Sequence, residues 1–284
     1  MKTISKFVIA AVIFSHTINN SLKAQTKHSC CSMPSTQEFA MLGKDKSFAA
    51  SHLSPLPFEY VSEKGKTITL KTTDGKDANA FMVAAEKPTE NYLFVIHEWW
   101  GLNDYIKQES EKIQNELGNV NVIALDLYDG RVATNADDAS SYMSETKDER
   151  IQAILKAAIA FAGSKAKIQS IGWCFGGGWS LQTSIMAGKQ GVGCVMYYGM
   201  PETQNEKIKS LDAPVLGLFA SKDAWINAKL VNQFEKDMKA NGKALTVKTF
   251  EADHAFANPS NPHFDKVAAA AAHKLAIAFL KAHL

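Results

Sequence analysis

The chain has 284 residues, a formal net charge of +2 and an apolar content of 46%. That length fills one large α/β domain with a sizeable core. The ordinary composition shows no repeat and no low-complexity run, and so small a net charge gives no basic face for nucleic acid.

The first residues read as a leader. Lys2 and Lys6 precede an apolar run from Phe7 to Phe14, and Leu22-Lys23-Ala24 offers a small residue before Gln25. This is the pattern of a secretory signal peptide over residues 1–24, and the run is too short to span a bilayer. Cleavage removes Lys2, Lys6 and Lys23 and no acid, so the net charge falls from +2 to −1. The mature chain is expected to be exported, periplasmic or secreted, off the membrane and monomeric. His28, Cys30, Cys31 and Met33 form a soft-ligand cluster of the kind that holds copper(I). Without a paired spacing the plainer reading is a tail. Cys194 lies in an apolar run and reads as core.

Residues 25–66 form a lead-in segment expected to lie across the domain surface. Phe39, Leu42 and Ala49 show some helical spacing over Gln37–Ala50, weakened at Gly43, and Pro55 and Pro57 end any helix. The main domain is read as 67–284. Thr67–Thr72 alternates, Asp74-Gly75 turns, and Ala78–Ala84 runs on, which predicts a β-hairpin. Tyr92–Ile96, Asn121–Leu125, Ile168–Trp173, Val192–Tyr198, Pro214–Ala220 and Leu245–Phe250 read as strands, most of them apolar enough to be covered on both faces. Helical patterns from Asp104 to about Leu117, over Asp148–Phe161, after Cys174 to about Met186, over roughly Asn227–Ala240 and over Ala268–Ala282 fall between or after them. Alternation of this kind predicts a mainly parallel central sheet with helices on both faces.

The chemistry gathers where strands end, which is where such sheets bind ligands. Gly172-Trp173-Cys174-Phe175-Gly176 has the glycine spacing of a nucleophile elbow, with a sulfur in place of a hydroxyl. A thiol at neutral pH is mostly protonated and needs a base, which in turn needs an orienting carboxylate. His254 fits the base and Asp223 the orienter, in the chain order nucleophile, acid, histidine that the α/β-hydrolase fold imposes. Asp253 is the rival acid, but it adjoins His254, so the two side chains would diverge. His97 reads as a satisfied core histidine. No metal is expected at His97-Glu98, because the second histidine position of a zinc motif holds Gly101. Trp99, Trp173 and Trp225 adjoin or nearly adjoin these residues and suggest an aromatic pocket wall, with ordinary core packing as the alternative.

These residues, with His97-Glu98-Trp99-Trp100-Gly101 and Asp126-Leu127-Tyr128, resemble the dienelactone hydrolase family of the α/β-hydrolase superfamily over roughly residues 67–284. The resemblance implies a Cys174–His254–Asp223 triad and makes Glu98 a fourth catalytic group, one that contacts the cysteine and takes its proton when substrate arrives. It implies an oxyanion hole from the backbone N–H groups of Phe175 and Trp99, no cofactor, and a small ester or lactone as substrate. Substrate contacts are expected at Arg131, Trp173 and Trp225. The family's lactone-specific members hold a substrate carboxylate with two arginines. Arg131 matches one with a one-residue offset, and Asn258 stands where the other would be, so an anionic dienelactone is a poor fit. The alternative is a thiol sensor or binding protein on the same fold, and within hydrolases a peptidase is left open.

Overall fold

The computed structural model describes residues 33–261 and 263–284. The leader and the Cys30/Cys31 cluster lie outside the described residues. The chain enters through two short helices, α1 (Ser35–Leu42) and α2 (Lys46–Ala50). The weak helix expected over Gln37–Ala50 is therefore broken. Asp45 causes the break: its carboxylate accepts from the Ser47 and Phe48 N–H groups and starts a new helix. The hairpin follows as β1 (Lys66–Leu70) and β2 (Ala78–Val83). Next come β3 (Asn91–Ile96), α3 (Asp104–Leu117), β4 (Asn121–Leu125), α4 (Ala136–Glu145), α5 (Asp148–Ala162) and β5 (Lys167–Trp173). The chain continues through α6 (Phe175–Ala187), β6 (Gly191–Tyr197), α7 (Asn205–Ser210), β7 (Val215–Ala220), α8 (Ala228–Ala240), β8 (Leu245–Phe250) and α9 (Lys266–Ala282).

Caps decide several of these starts. Asn103 caps α3 by accepting from the Ile106 N–H, and Asp104 falls in the first turn, where its charge suits the helix dipole. Asn227 caps α8 and Asp265 caps α9 in the same way. Two helices are absent from the sequence reading, α4 and the six-residue α7.

The eight strands form one sheet in the order β1-β2-β4-β3-β5-β6-β7-β8. The β1/β2 and β2/β4 pairs are antiparallel and the remaining five pairs are parallel. Every residue of β4 and β7 is buried, so both faces of the sheet's centre are covered. The edge strand β8 instead alternates between partly buried and exposed residues. Helix α6 packs against β5 and β6, while α9 packs against α3, β6 and β7. Strand order reverses beside β3: the chain runs out to β4 and then returns to β5 on the other side. The crevice beyond the carboxyl ends of β3 and β5 is thus a topological switch point, the place where open α/β sheets bind ligands. Among the described residues no helix is long and apolar enough to cross a membrane.

Candidate active site

The elbow sits at that crevice. Cys174 follows β5 and stands at the N-cap of α6 with φ 56°, a left-handed conformation that an L-residue adopts only under constraint. The flanking glycines make the bend possible. A Cβ on Gly172 would collide with the Gly176 carbonyl, and one on Gly176 would strike the carbonyl oxygens of Ile96 and His97. Strand, turn and helix therefore come closer than any side chain would allow.

One side chain hydrogen-bonds the sulfur and a second orients the first. His254, in the loop after β8, places Nε2 at 3.4 Å from Cys174 Sγ, and its Nδ1 lies 2.6 Å from Asp223 Oδ2. The carboxylate only accepts, so Nδ1 carries the hydrogen and Nε2 presents its lone pair to the thiol. Asp223 Oδ1 accepts from the N–H groups of Trp225 at 2.9 Å and Ile226 at 2.8 Å. Burial pushes the Asp223 carboxyl up, but the His254 charge and these hydrogen bonds outweigh it and hold the group below its ordinary value. Asp253 does not meet His254: it is half-exposed and faces His263 at 3.8 Å.

The backbone N–H groups of Phe175 and Trp99 both address Cys174 Sγ, where they favour negative charge. Phe175 is the first residue of α6, so the helix dipole adds to its donor. Burial, followed by the charge of Glu98, pushes the Cys174 thiol well above its ordinary range. At rest the sulfur is a neutral S–H.

Glu98 follows β3 and is itself buried. Its Oε2 accepts from Asn258 Nδ2, and Tyr198 OH donates to Oε1 at 3.4 Å. Burial raises the Glu98 carboxyl to about 7, opposed by the His254 charge and these two donors. The carboxyl thus exchanges its proton near neutrality. His97 is satisfied, with Nδ1 donating to the Glu98 carbonyl at 2.5 Å and Nε2 accepting from the Leu127 N–H at 3.1 Å. Asp126 accepts from the Tyr128 and Gly130 N–H groups and shapes the loop carrying Tyr128, whose ring packs on His97 and Phe175.

The tryptophans divide. Trp173 stacks on Tyr197 with centroids 5.4 Å apart, and it lines a cavity of about 440 Å³ together with Glu98, Trp100 and Asn258. Trp225 and Trp99 do not line it. Both pack on Phe48, with centroids 5.1 and 5.3 Å away. Arg131 is turned away from this cavity. Its guanidinium donates to Glu145, Thr146 and the Tyr128 carbonyl and lies 4.5 Å over the Tyr142 ring. The end of α4, through Glu145 and its cap Thr146, and the loop after β4, through the Tyr128 carbonyl, engage the donors that a substrate carboxylate would need from Arg131.

The lead-in segment adds what the sequence reading missed. It does run over the domain, but it also inserts Phe48 and His52, both buried, among Trp99, Trp225 and His254. Asn258 and Tyr198 are the other missed partners. Only the place of Asn258, four residues past His254, offered a signal.

A mainly parallel sheet that presents a nucleophile elbow, a histidine and an acid at its carboxyl edge defines an α/β-hydrolase. The dienelactone hydrolase family model matches residues 78–284. The chain belongs to that family and is accordingly a hydrolase of carboxylic esters or lactones. It is 31% identical over 205 residues to "Protein usf" of Aquifex pyrophilus, covering 68% of this chain and 88% of that one. It is 29% identical over 215 residues to the "Putative carboxymethylenebutenolidase" of Aquifex aeolicus, covering 71% of this chain and 92% of that one. Among solved structures, the "Putative Dienelactone Hydrolase" of Klebsiella pneumoniae shares the fold at a TM-score of 0.66 and 20% identity, over 76% of this chain and 98% of that one.

Proposed function

We propose that this chain is an exported cysteine hydrolase that cleaves a small, partly apolar ester or lactone through Cys174, His254 and Asp223. The observation that carries the reading is the continuous line from Asp223 Oδ2 through both ring nitrogens of His254 to Cys174 Sγ. His254 Nε2 takes the thiol proton as the sulfur attacks the substrate carbonyl. The new oxyanion is received by the N–H groups of Phe175 and Trp99, which already address the sulfur. The tetrahedral intermediate collapses to a thioester, and the protonated His254 gives its proton to the departing alkoxide. In a lactone that alkoxide stays tethered to the acyl group. A water, deprotonated by His254, then attacks the thioester, and the proton returns to Cys174 as the acid departs.

Glu98 offers an alternative first acceptor for the same thiol proton, which then passes to His254. Tied to Asn258 and Tyr198, its carboxylate leaves the thiol protonated at rest; released by substrate in the cavity it borders, it reaches the sulfur as a base. A neutral resting thiol resists oxidation, which suits an exported protein. Export rests on the leader pattern of residues 1–24. With Arg131 engaged elsewhere and Asn258 on Glu98, neither of these positions offers a free arginine for a substrate carboxylate, which favours neutral substrates. The test is a panel of short-chain p-nitrophenyl esters and neutral and anionic lactones, offered to the mature chain and to its Cys174→Ala variant. Turnover of the neutral members by the parent alone supports the reading. Equal turnover by both proteins refutes it.

A further inference from the structure

His52 is a second histidine in the active site, and nothing in the triad uses it. It follows α2, its ring is 3% exposed, and its centroid lies 5.3 Å from that of His254. Its Nδ1 is 2.7 Å from the Phe48 carbonyl oxygen. A carbonyl only accepts, so Nδ1 bears the hydrogen and Nε2 is a bare lone pair. Among the described residues no group bonds that Nε2, although it is buried. His254 is held in the same tautomer, with its Nδ1–H on Asp223 and its Nε2 lone pair on Cys174. His254 alone hydrogen-bonds the thiol, and its single hydrogen leaves the His52 Nε2 lone pair without a partner. One ligand atom from each of His52, Cys174 and His254 lies within 4.8 Å of the other two.

We infer that His52, Cys174 and His254 form a three-ligand site for a single borderline-soft divalent cation, with zinc as the type case. Two neutral imidazoles and a thiolate are a donor set that zinc favours, with the fourth position left to water. Zinc sites also hold their histidines by the far ring nitrogen, on a carboxylate or a backbone carbonyl. Asp223 and the Phe48 carbonyl supply one of each. Zinc–ligand bonds of about 2.0–2.3 Å need ligand atoms roughly 3.5 Å apart, so the ion draws the three groups together by about 1 Å. On binding, the Cys174 S–H bond breaks, a sulfur–metal bond forms and the proton leaves to solvent; nothing is oxidised or reduced. The ion occupies the thiolate and the His254 lone pair, and so silences the nucleophile. It also ties the lead-in segment to the catalytic loops. Only the silencing rests on the hydrolase reading; the site itself rests on the three ligands.

The test uses the mature chain carrying Cys30→Ser and Cys31→Ser, which removes the thiols of the N-terminal cluster. Cobalt(II) is titrated as a spectroscopic probe, followed by displacement with zinc. The expected result is one equivalent bound with a thiolate-to-cobalt charge-transfer band, abolished in Cys174→Ala. In His52→Gln, and likewise in His52→Ala, the affinity should fall about 100-fold or more with the circular dichroism spectrum unchanged. Zinc should also stop ester turnover, reversibly on adding a chelator. Absence of the band at stoichiometric cobalt, or unaltered affinity in a folded His52→Gln variant, overturns the site. Because the binding readout needs no turnover, a cobalt band in a protein that cleaves no ester would refute the hydrolytic reading and leave the metal site standing.

Discussion

Asn258 donates its side-chain amide to Glu98 on the wall of the cavity that both line, joining the loop after β8 to the loop after β3. The bond favours the charged form of Glu98, against the burial that raises its carboxyl to about 7. In the proposed mechanism it holds the glutamate at rest and helps set the pH at which it acts as a base.

Asn258→Leu should therefore raise the Glu98 carboxyl further. A hydrogen bond to a charged group contributes about 1.5–3 kcal/mol, which corresponds to a rise of roughly one to two pH units. The pH profile of Cys174 alkylation by iodoacetamide is expected to move upward by that amount. An unmoved profile would show that Asn258 does not govern Glu98.

Glu98 also couples stability to pH. Its carboxyl sits near 7 in the folded chain, against an ordinary value of 4.5. The unfolded state therefore ionises first as pH rises, and the folded state is penalised above about 4.5, with the full penalty reached above about 7. The isosteric Glu98→Gln should stabilise the fold by up to about 3 kcal/mol at pH 8 and by little at pH 4, where both states are protonated. Thermal unfolding at the two pH values measures the difference. A pH-independent offset would contradict the assignment.

The sheet was largely legible because its period-two and fully apolar runs are local signals. All eight strands follow from them. Helix α4 was missed although Asn135 caps it and Asp137 and Asp138 fill its first turn, because its face carries few apolar residues. The six-residue α7 is too short to show a period. His52 was invisible for a different reason. It follows a five-residue helix, and apart from the neighbouring Phe48 its ring packs on Trp99, Trp225 and His254, which are distant in sequence. The engagement of Arg131 by Glu145 and Thr146 was likewise a matter of packing that no spacing announces.

Phe48 anchors the lead-in segment. It is fully buried between Trp99 and Trp225. Phe48→Ala should cost about 3–5 kcal/mol, the usual range for emptying an aromatic core site, and should expose Cys174 to alkylation. Denaturant unfolding combined with alkylation rates checks both. A loss below about 1 kcal/mol would mean that the segment is only laid on the surface.

Asp223→Asn should leave the fold intact and lower kcat about 10⁴-fold, because the wrong His254 tautomer then faces the thiol. Single-turnover kinetics on a p-nitrophenyl ester measures it. A loss of less than about tenfold would place the orienting group elsewhere.

The account stands most directly on covalent capture by the sulfur at the elbow. Intact-mass analysis after rapid quenching of p-nitrophenyl acetate hydrolysis should show one acetyl group on the parent chain, mapped to Cys174, and none on Cys174→Ala. An active enzyme with no acyl adduct on Cys174, or a Cys174→Ala variant that turns over the ester as fast as the parent, would contradict it.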